Sequence, residues 1–340
     1  MIIAVDIRGK EDYQHFIYET FKRITTQYAE HSFIFIFDKP SNSSFIFSKN
    51  IISVIVQQPK ISLLSSINFK ISSQLKKYKV QVLVTAKPIN TKVPQYLIAF
   101  ENLNPVSLKR AQVIVADSEF SKKEIVENYK IDENKIDVVY KGVAENFQPL
   151  NLEEREKIKE KYADGYEYFL IAGAVQPGNL LKALKAFSVF KKMQKSNMQL
   201  LIVLGSEGSN EFIEKLKLFK YKTEVKILTN LSEKELTPVT ASAYAFIHPS
   251  SKEYSNLFKA MKCNVPVVTS NTGALPEVCG DAALYFDLNN YKDIADKMML
   301  VYKDEKLRQQ LIEKGKDQIK KYTWNKTADS LWKSIEKAGR

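Results

Sequence analysis

Short runs of Ile, Val, Leu and Phe alternate with longer amphipathic segments along nearly the whole chain. In the first half, the strand-like runs are AVDI, FIFIF, QVLVTA, YLIAF and QVIVADS, and the helical pattern EDYQHFIYETFKRITTQYAE separates the first two. Strand-sized apolar runs that alternate with helical segments are typical of parallel strands joined by helical crossovers. The pattern therefore predicts an α/β fold with a doubly wound parallel sheet.

The same alternation starts again after a break. The run IDVVY leads into KGVAENFQPLN, in which Gly142, Pro149 and the lack of periodicity indicate a linker. The strand-like runs YFLIAGAV, QLLIVLGS, EVKILTN, YAFIHPS and VPVVTSN follow, and a helical tail begins at Tyr291. We expect one domain over residues 1–145, completed by a C-terminal helix over 323–340, and a second domain over 146–322. Ligands of such sheets bind at the carboxyl ends of the strands.

Composition narrows the class of protein. Of the 340 residues, 44% are hydrophobic and 26% are charged, which is typical of a globular chain. The longest apolar runs, FIFIF and LLIVLG, are far shorter than the roughly 20 residues that cross a membrane. The N-terminal run becomes charged at Asp6, which favours a first strand over a signal peptide, so we expect a cytoplasmic protein. Cys263 and Cys279 alone predict neither a disulfide framework nor a zinc site.

The net charge of +12 would favour nucleic-acid binding if the cations were clustered. They are not, because lysines alternate with acids in EEREKIKEKY and DEKLRQQLIEKGKDQIKKY, as on solvated helix faces. We therefore expect no nucleic-acid partner, whereas an acidic membrane surface or a phosphorylated substrate would suit the charge equally well. The chain also lacks an Asp-x-Asp pair, a phosphate-binding loop and a Cys/His spacing, so neither a metal nor another cofactor is expected.

Five segments of the second half resemble the retaining glycosyltransferases of the GT-B fold known as group 1 or family 4. These segments are, in order, VVYKGVAENFQP, YFLIAGAVQPGNLLKALKAF, LTNLSEKELTPVTASAYAFIHPS, VPVVTSNTGALPEVCGDAALYFD and YTWNKTADSLW. The resemblance implies two Rossmann-like domains that face each other across a cleft. It also implies transfer of a sugar from a nucleotide-sugar to a glycan or lipid-linked acceptor with retention, at or near the inner face of a membrane.

The resemblance further implies a donor site in the loops that follow the strands of the second domain. The residues that it assigns to donor binding are Gly173, Pro177, Gly178, Asn179, Lys182, Asn256, Leu257, Lys259 and Glu277. Relatives usually carry a lysine for the donor diphosphate at the position of Gly178. Lys182, one helical turn later, could contact the diphosphate instead or be an ordinary solvated lysine. Glu277 could equally cap a helix.

The donor motif also departs from the family around Glu253, the candidate catalytic residue. Relatives usually have two glutamates separated by seven residues, and Glu253 matches the first of them, near the donor sugar. Lys259 replaces the second, which binds the ribose hydroxyls in relatives, and the loop between the two positions is two residues shorter and has no glycine. A lysine cannot accept hydrogen bonds from hydroxyls. Gly178→Lys and Lys259→Glu are therefore each expected to tighten donor binding by roughly 1–3 kcal/mol.

The first domain departs from the family as well. Glu101 and Asn102 stand where relatives usually have a His-Asp pair near the acceptor sugar, and His15, His31 and His248 are predicted to be surface or packing residues. These departures leave two functions open. The protein is either a divergent sugar transferase or a catalytically inactive GT-B protein that acts as a binding or partner subunit.

Overall fold

The structure, a computed structural model, describes residues 1–39, 45–56, 64–100, 104–205 and 210–338. The chain divides into two compact units, each of which contains a parallel sheet covered by helices. Unit 1 comprises Met1–Gly142 and Tyr322–Arg340, and unit 2 comprises Val143–Lys321. The predicted α/β doubly wound class is confirmed, and the unit boundaries lie within three residues of the expected positions.

Unit 1 contains a seven-stranded parallel sheet in the order β3-β2-β1-β4-β5-β6-β7. Its strands are β1 (Ile2–Asp6), β2 (Ser32–Phe37), β3 (Ile51–Ile55), β4 (Val82–Thr85), β5 (Gln95–Ile98), β6 (Val113–Ala116) and β7 (Ile136–Val138). Its helices are α1 (Glu11–Gln27), α2 (Leu64–Lys77), α3 (Pro105–Arg110), α4 (Glu119–Tyr129) and α13 (Trp324–Ala338).

The C-terminal helix α13 is an integral part of unit 1. Trp332 is 1% exposed, and its ring stacks on that of Tyr28 with the centroids 4.1 Å apart. The Tyr96 hydroxyl donates to the Ser334 carbonyl at 2.7 Å. A Cβ atom on Gly142 would lie 2.6 Å from the backbone nitrogen of Trp324, so only glycine fits where the chain passes the start of α13.

The edge strand β3 is absent from the alternation that the sequence analysis identified. Val54 and Val56 pack into a cluster with Ile71 and Leu75 of α2, whereas Ile52 and Ile55 are 44% and 47% exposed. The sequence IISVIV carries apolar residues on both faces, and Ile51, on the face opposite to Val54, packs against a different core cluster. A pattern of alternating polar and apolar residues is therefore missing, and the strand has no clear signature.

Unit 2 contains a six-stranded parallel sheet in the order β10-β9-β8-β11-β12-β13. Its strands are β8 (Tyr168–Ala172), β9 (Gln199–Leu204), β10 (Val225–Thr229), β11 (Ala245–His248), β12 (Val267–Ser270) and β13 (Ala283–Phe286). Its helices are α5 (Leu152–Ala163), α6 (Pro177–Gln194), α7 (Asn210–Lys217), α8 (Glu233–Ala241), α9 (Ser255–Lys262), α10 (Leu275–Cys279), α11 (Tyr291–Lys303) and α12 (Glu305–Ile319).

The strand order of unit 2 reverses between β8 and β11. From β8 the chain proceeds through β9 to β10, and it then returns to the other side of β8 to form β11. In doubly wound sheets, the connections on the two sides of such a reversal run over opposite faces and leave a crevice at the carboxyl ends of the strands. The loops that follow β8 and β11 therefore border the crevice in which sheets of this kind bind their ligands.

The helical tail predicted from Tyr291 consists of the three helices α11, α12 and α13. The first break falls at Asp304, whose side chain accepts a hydrogen bond from the Leu307 nitrogen at 2.9 Å and so begins α12. In the part of the chain that the structure describes, none of the helices combines the length and the apolar character that crossing a membrane requires.

Candidate functional site

Gly173 brings the end of β8 against the first turn of α9. It has a φ of +106°, a conformation that residues with a side chain rarely adopt. A Cβ atom at this position would overlap the side-chain amide nitrogen of Asn256, which is 8% exposed. The two predicted site residues therefore touch each other across the reversal point of the sheet.

The loop after β12 joins the same cluster through Gly273. This glycine has a φ of +67°, and a Cβ atom on it would overlap the backbone carbonyl oxygen of Ser251 in the loop after β11. The Ser270 hydroxyl, at the end of β12, donates to the Ser250 carbonyl at 2.6 Å. Three strand ends thus supply loops that are packed closely together, with glycine at two of the contacts.

Glu253 lies at the exposed end of the loop after β11. Its φ of +60° is in the left-handed region, which is uncommon for a residue other than glycine and carries a conformational cost. The Ser255 hydroxyl donates to its carboxylate at 3.1 Å. Upstream, the Lys252 nitrogen donates to the Ser250 hydroxyl at 3.2 Å, so the loop that presents Glu253 is tied down on both sides.

His248, at the end of β11, is a buried support of this loop. Its Nε2 atom donates to the Lys252 carbonyl at 3.1 Å, and the ring is 2% exposed. Burial lowers the pKa of His248 to about 4, so the ring is neutral at physiological pH. A neutral and inaccessible ring agrees with the packing role expected from the sequence.

Two helices begin at the reversal point and direct their backbone N–H groups toward it. α6 starts at Pro177 and α9 at Ser255, and in neither helix does the N-cap residue make a side-chain capping bond. Gly178 has open space around it, since no atom lies within 4 Å of the position of a Cβ. The first N–H groups of a helix lack partners within the helix and attract anions.

The predicted backbone donors are not equivalent. The Asn179 nitrogen donates to the Gln176 carbonyl at 2.9 Å, and the Leu257 nitrogen donates to the Tyr254 carbonyl at 3.0 Å. Leu257 is also fully buried, so its side chain is inaccessible to a ligand. Gly178 and Asn256 are therefore better placed than their neighbours to offer a backbone N–H to an anion.

Lys259 is engaged by groups that the sequence analysis did not single out. Its ammonium lies 3.6 Å from a carboxylate oxygen of Glu233, at the start of α8, and 5.0 Å from the centroid of the Phe147 ring. Phe147 comes from the linker segment and is fully buried. A carboxylate is therefore present beside position 259, but it belongs to Glu233 of α8 and not to residue 259 itself.

The remaining predicted residues lie farther along the helices. The ammonium of Lys182 donates to the side-chain oxygen of Asn289 at 3.1 Å, which places it beside the loop after β13. Glu277 lies inside α10 and is partly buried. The acceptor-side positions Glu101 and Asn102 lie outside the described residues, so their predicted role stays a prediction.

Thiolate chemistry is not available at Cys263 or Cys279. Both side chains are buried, and burial raises the pKa of each thiol to about 12, so both stay protonated at neutral pH. Among the residues that the structure describes, no group of three or more His, Cys, Asp or Glu side chains could hold a metal ion.

Comparison with known proteins places residues 153–318, within unit 2, in the family described as glycosyl transferases group 1. The O-antigen chain mannosyltransferase B of Escherichia coli is 27% identical over 223 residues, which cover 64% of this chain and 58% of that protein. The O-antigen chain mannosyltransferase RfbU of Salmonella typhimurium is 29% identical over 198 residues, or 57% of this chain and 52% of that protein. The chain thus spans little more than half the length of these two curated relatives.

Solved structures of low sequence identity share the fold over almost the whole chain. A glycosyltransferase from Rickettsia africae superposes with a TM-score of 0.80 at 18% identity, over 99% of this chain and 98% of that one. Anabaena Alr3699/HepE, in complex with UDP and glucose, gives a TM-score of 0.77 at 11% identity, over 99% of this chain and 100% of that one. The chain therefore has the GT-B fold, and residues 153–318 of unit 2 match the family of group 1 glycosyl transferases.

Proposed function

We propose that the protein transfers a sugar from a nucleotide-sugar donor to a glycan or lipid-linked acceptor, with retention of configuration. The observation that carries the proposal is that two helices without side-chain caps start from the loops after β8 and β11, which touch at Gly173 and Asn256, inside the domain that matches the family. The donor of such a reaction carries a diphosphate, and helix N-termini bind phosphates through backbone N–H groups and the helix dipole.

The diphosphate would lie over the first turns of α6 and α9. The absence of a side chain at Gly178 lets backbone and phosphate approach closely, whereas the space beside Gly173 is occupied by the side chain of Asn256. Neither glycine adds a positive charge, and a helix dipole contributes typically 0.3–1 kcal/mol at an exposed site. A charge-assisted hydrogen bond contributes roughly 1.5–3 kcal/mol, so we expect donor binding to be weaker than in relatives with a lysine at the position of Gly178.

Glu253 is the residue that we propose to contact the transferred sugar. Its carboxylate is exposed at the tip of a loop that His248, Ser250 and Ser255 support through hydrogen bonds. A carboxylate can accept hydrogen bonds from sugar hydroxyls. Retention is explained by attack on the same face of the sugar as the departing diphosphate, with the donor phosphate accepting the proton. Such a reaction depends on positioning and charge stabilisation rather than on a protein nucleophile.

The names of the relatives suggest which substrates to test first. Two of them are called O-antigen chain mannosyltransferases, and a third, from Staphylococcus aureus, is called a capsular polysaccharide biosynthesis glycosyltransferase. We therefore propose a nucleoside diphosphate hexose as the donor, GDP-mannose being the first candidate, and a growing surface polysaccharide as the acceptor. These relatives are named as transferases, which supports an active enzyme over a non-catalytic subunit.

Calorimetric titration with GDP-mannose, UDP-glucose, GDP and UDP tests the proposal before any acceptor is known. We expect one nucleotide-sugar to bind, and Gly173→Ala to abolish the binding because the new methyl group displaces Asn256. Gly205→Ala is the matched control, since it follows the neighbouring strand β9 and no atom lies within 4 Å of the added Cβ. Failure of every donor to bind, or equal binding by both variants, would contradict the proposed site.

A further inference from the structure

A cavity lies at the amino-terminal ends of β11 and β12 in unit 2. Its volume is about 210 Å³. Its lining includes Ala243 and Val265, which lie just before the first residues of β11 and β12, respectively. The candidate donor residues follow these same strands. A four-residue strand is roughly 13 Å long at about 3.3 Å per residue. The cavity and the candidate donor residues are therefore separated by the length of these strands.

Cations dominate the lining of this cavity. Arg155 from α5 and Arg308 and Lys316 from α12 face a single lining carboxylate, that of Glu313. Lys316 pairs with Glu313 at 2.7 Å, and Arg308 pairs with Glu305 at 2.8 Å. These pairs reduce the positive potential that Arg308 and Lys316 add to the cavity without cancelling it, because the lining holds three cations and one carboxylate.

Arg155 is different, because no carboxylate of the described residues forms an ion pair with it. Its Nε atom is buried and has no hydrogen-bond partner in the described part of the chain. A ligand in the cavity would meet the other guanidinium nitrogens of Arg155, because the Nε atom is out of contact with solvent. Cys263 adds no opposing charge to the cavity, since burial raises the pKa of its thiol to about 12 and keeps it protonated.

We propose that this cavity binds a phosphate-bearing small molecule, with the Arg155 guanidinium as its main contact. The planar fork of an arginine matches the oxygens of a phosphate, and Arg308 and Lys316 add positive potential around it. The volume equals that of about seven water molecules and lies below the roughly 300–1,000 Å³ of pockets for larger ligands. It suits inorganic phosphate or a small phosphate monoester and is too small for a nucleotide-sugar.

Thermal unfolding of the full chain in the presence of inorganic phosphate or glucose 6-phosphate tests this site, with acetate at equal ionic strength as the reference. We expect the phosphate compounds, and not acetate, to raise the unfolding temperature. Arg155→Gln should weaken the response about ten- to a hundredfold in affinity, the loss expected for a charge-assisted hydrogen bond. A stronger response to glucose 6-phosphate would identify a monoester ligand, and an equal response would identify phosphate itself.

Three further variants separate the cavity from other anion sites. Lys316→Gln, on the exposed rim, should also weaken the response, and it guards against a folding defect in the Arg155 variant. Lys157→Gln removes a positive charge from the same helix as Arg155, but Lys157 is 71% exposed and pairs with Glu153, so it should leave the response unchanged. Gly173→Ala should also leave it unchanged.

Several results would overturn the proposal. Retention of the phosphate response by Arg155→Gln would show that the ligand binds elsewhere, and loss of the response in Gly173→Ala would place it at the start of α6 and α9. An equal effect of acetate would reduce the response to general ionic stabilisation, and a flat response to both phosphate compounds would show that the cavity binds neither.

Discussion

At the scale of single residues, Lys259 shows how a neighbour changes the expected effect of a substitution. The sequence alone predicts that Lys259→Glu tightens donor binding, because a carboxylate can accept hydrogen bonds from ribose. In the structure, the Lys259 ammonium is 3.6 Å from the Glu233 carboxylate, so a glutamate at this position would face a like charge. It would also lose the cation–π contact with Phe147.

We therefore expect Lys259→Glu to lower the free energy of unfolding by about 1–2 kcal/mol, the sum of a lost ion pair and a lost cation–π contact. Lys259→Met should cost less, because it adds no repulsion. The charge-reversed pair Lys259→Glu with Glu233→Lys should recover part of the loss. Urea denaturation measures all three, and equal stability of the single and the reversed variants would show that the two side chains do not interact.

The reversed pair also tests the ribose contact without the complication of repulsion. It places a carboxylate at position 259 next to a lysine, as the family pattern would require. If its affinity for the nucleotide-sugar exceeds that of the unmodified protein, position 259 contacts the ribose. If its affinity is lower, Glu233 and Lys259 hold the donor in their present arrangement.

His248 makes stability depend on pH. Its pKa is lowered to about 4 in the folded protein from 6.5 in an unfolded chain. Above pH 6.5 both states are neutral and the protein has its full stability. As the pH falls from 6.5 toward 4, the unfolded chain takes up a proton that the folded protein does not, so the free energy of unfolding decreases by about 3 kcal/mol in total.

Urea denaturation of the protein and of His248→Gln between pH 7.5 and pH 4.5 isolates this contribution. Glutamine can still donate to the Lys252 carbonyl but does not titrate, so the stability advantage of the histidine should shrink as the pH falls. Parallel stability curves for the two proteins across this range would show that His248 is not buried as a neutral ring.

At the scale of elements, α13 illustrates how a C-terminal helix completes a domain that begins at the other end of the chain. Its apolar face contributes Leu331 and Trp332 to the core of unit 1, where both are almost fully buried. The next residue, Lys333, is exposed on the opposite side of the helix. Amphipathic spacing in SLWKSIEKA predicts the helix, but it does not say which sheet the apolar face covers.

Leu331→Ala should therefore destabilise unit 1 by about 2–5 kcal/mol through loss of burial and creation of a cavity. Both tryptophans of the chain, Trp324 and Trp332, lie in α13, so the fluorescence change on denaturation reports on this unit. Lys333→Ala on the exposed side should change stability by less than about 0.5 kcal/mol. Similar effects of the two substitutions would contradict the packing of α13 described above.

At the scale of the whole molecule, the two units differ in how strongly their sequences point to the family. The family match covers residues 153–318, all of which lie in unit 2, whereas the fold likeness to solved structures extends over 99% of the chain. For unit 1, the likeness to these solved structures is a likeness of fold.

What the sequence determines by itself is the fold class, the two domains and the positions of the loops that carry the site. These follow from local patterns, because the period of apolar residues and the glycines at turns act within a few residues of the chain. Ser118, for example, precedes the helical segment EFSKKEIVENY and is the N-cap of α4, where its side chain accepts a hydrogen bond from the Ser121 nitrogen. The edge strand β3 is not predicted from such patterns, because apolar residues lie on both of its faces.

Only the tertiary structure decides which distant side chains meet. Gly173 and Asn256, Lys259 and Glu233, and the cations around Arg155 lie on separate elements, and their contacts depend on how the helices pack against the sheet. Packing is cooperative and non-local, so no window of sequence contains it. For that reason the glycines of the chain predict a candidate donor site, while the carboxylate beside Lys259 and the cationic cavity at the amino-terminal ends of the strands become visible only in the folded protein.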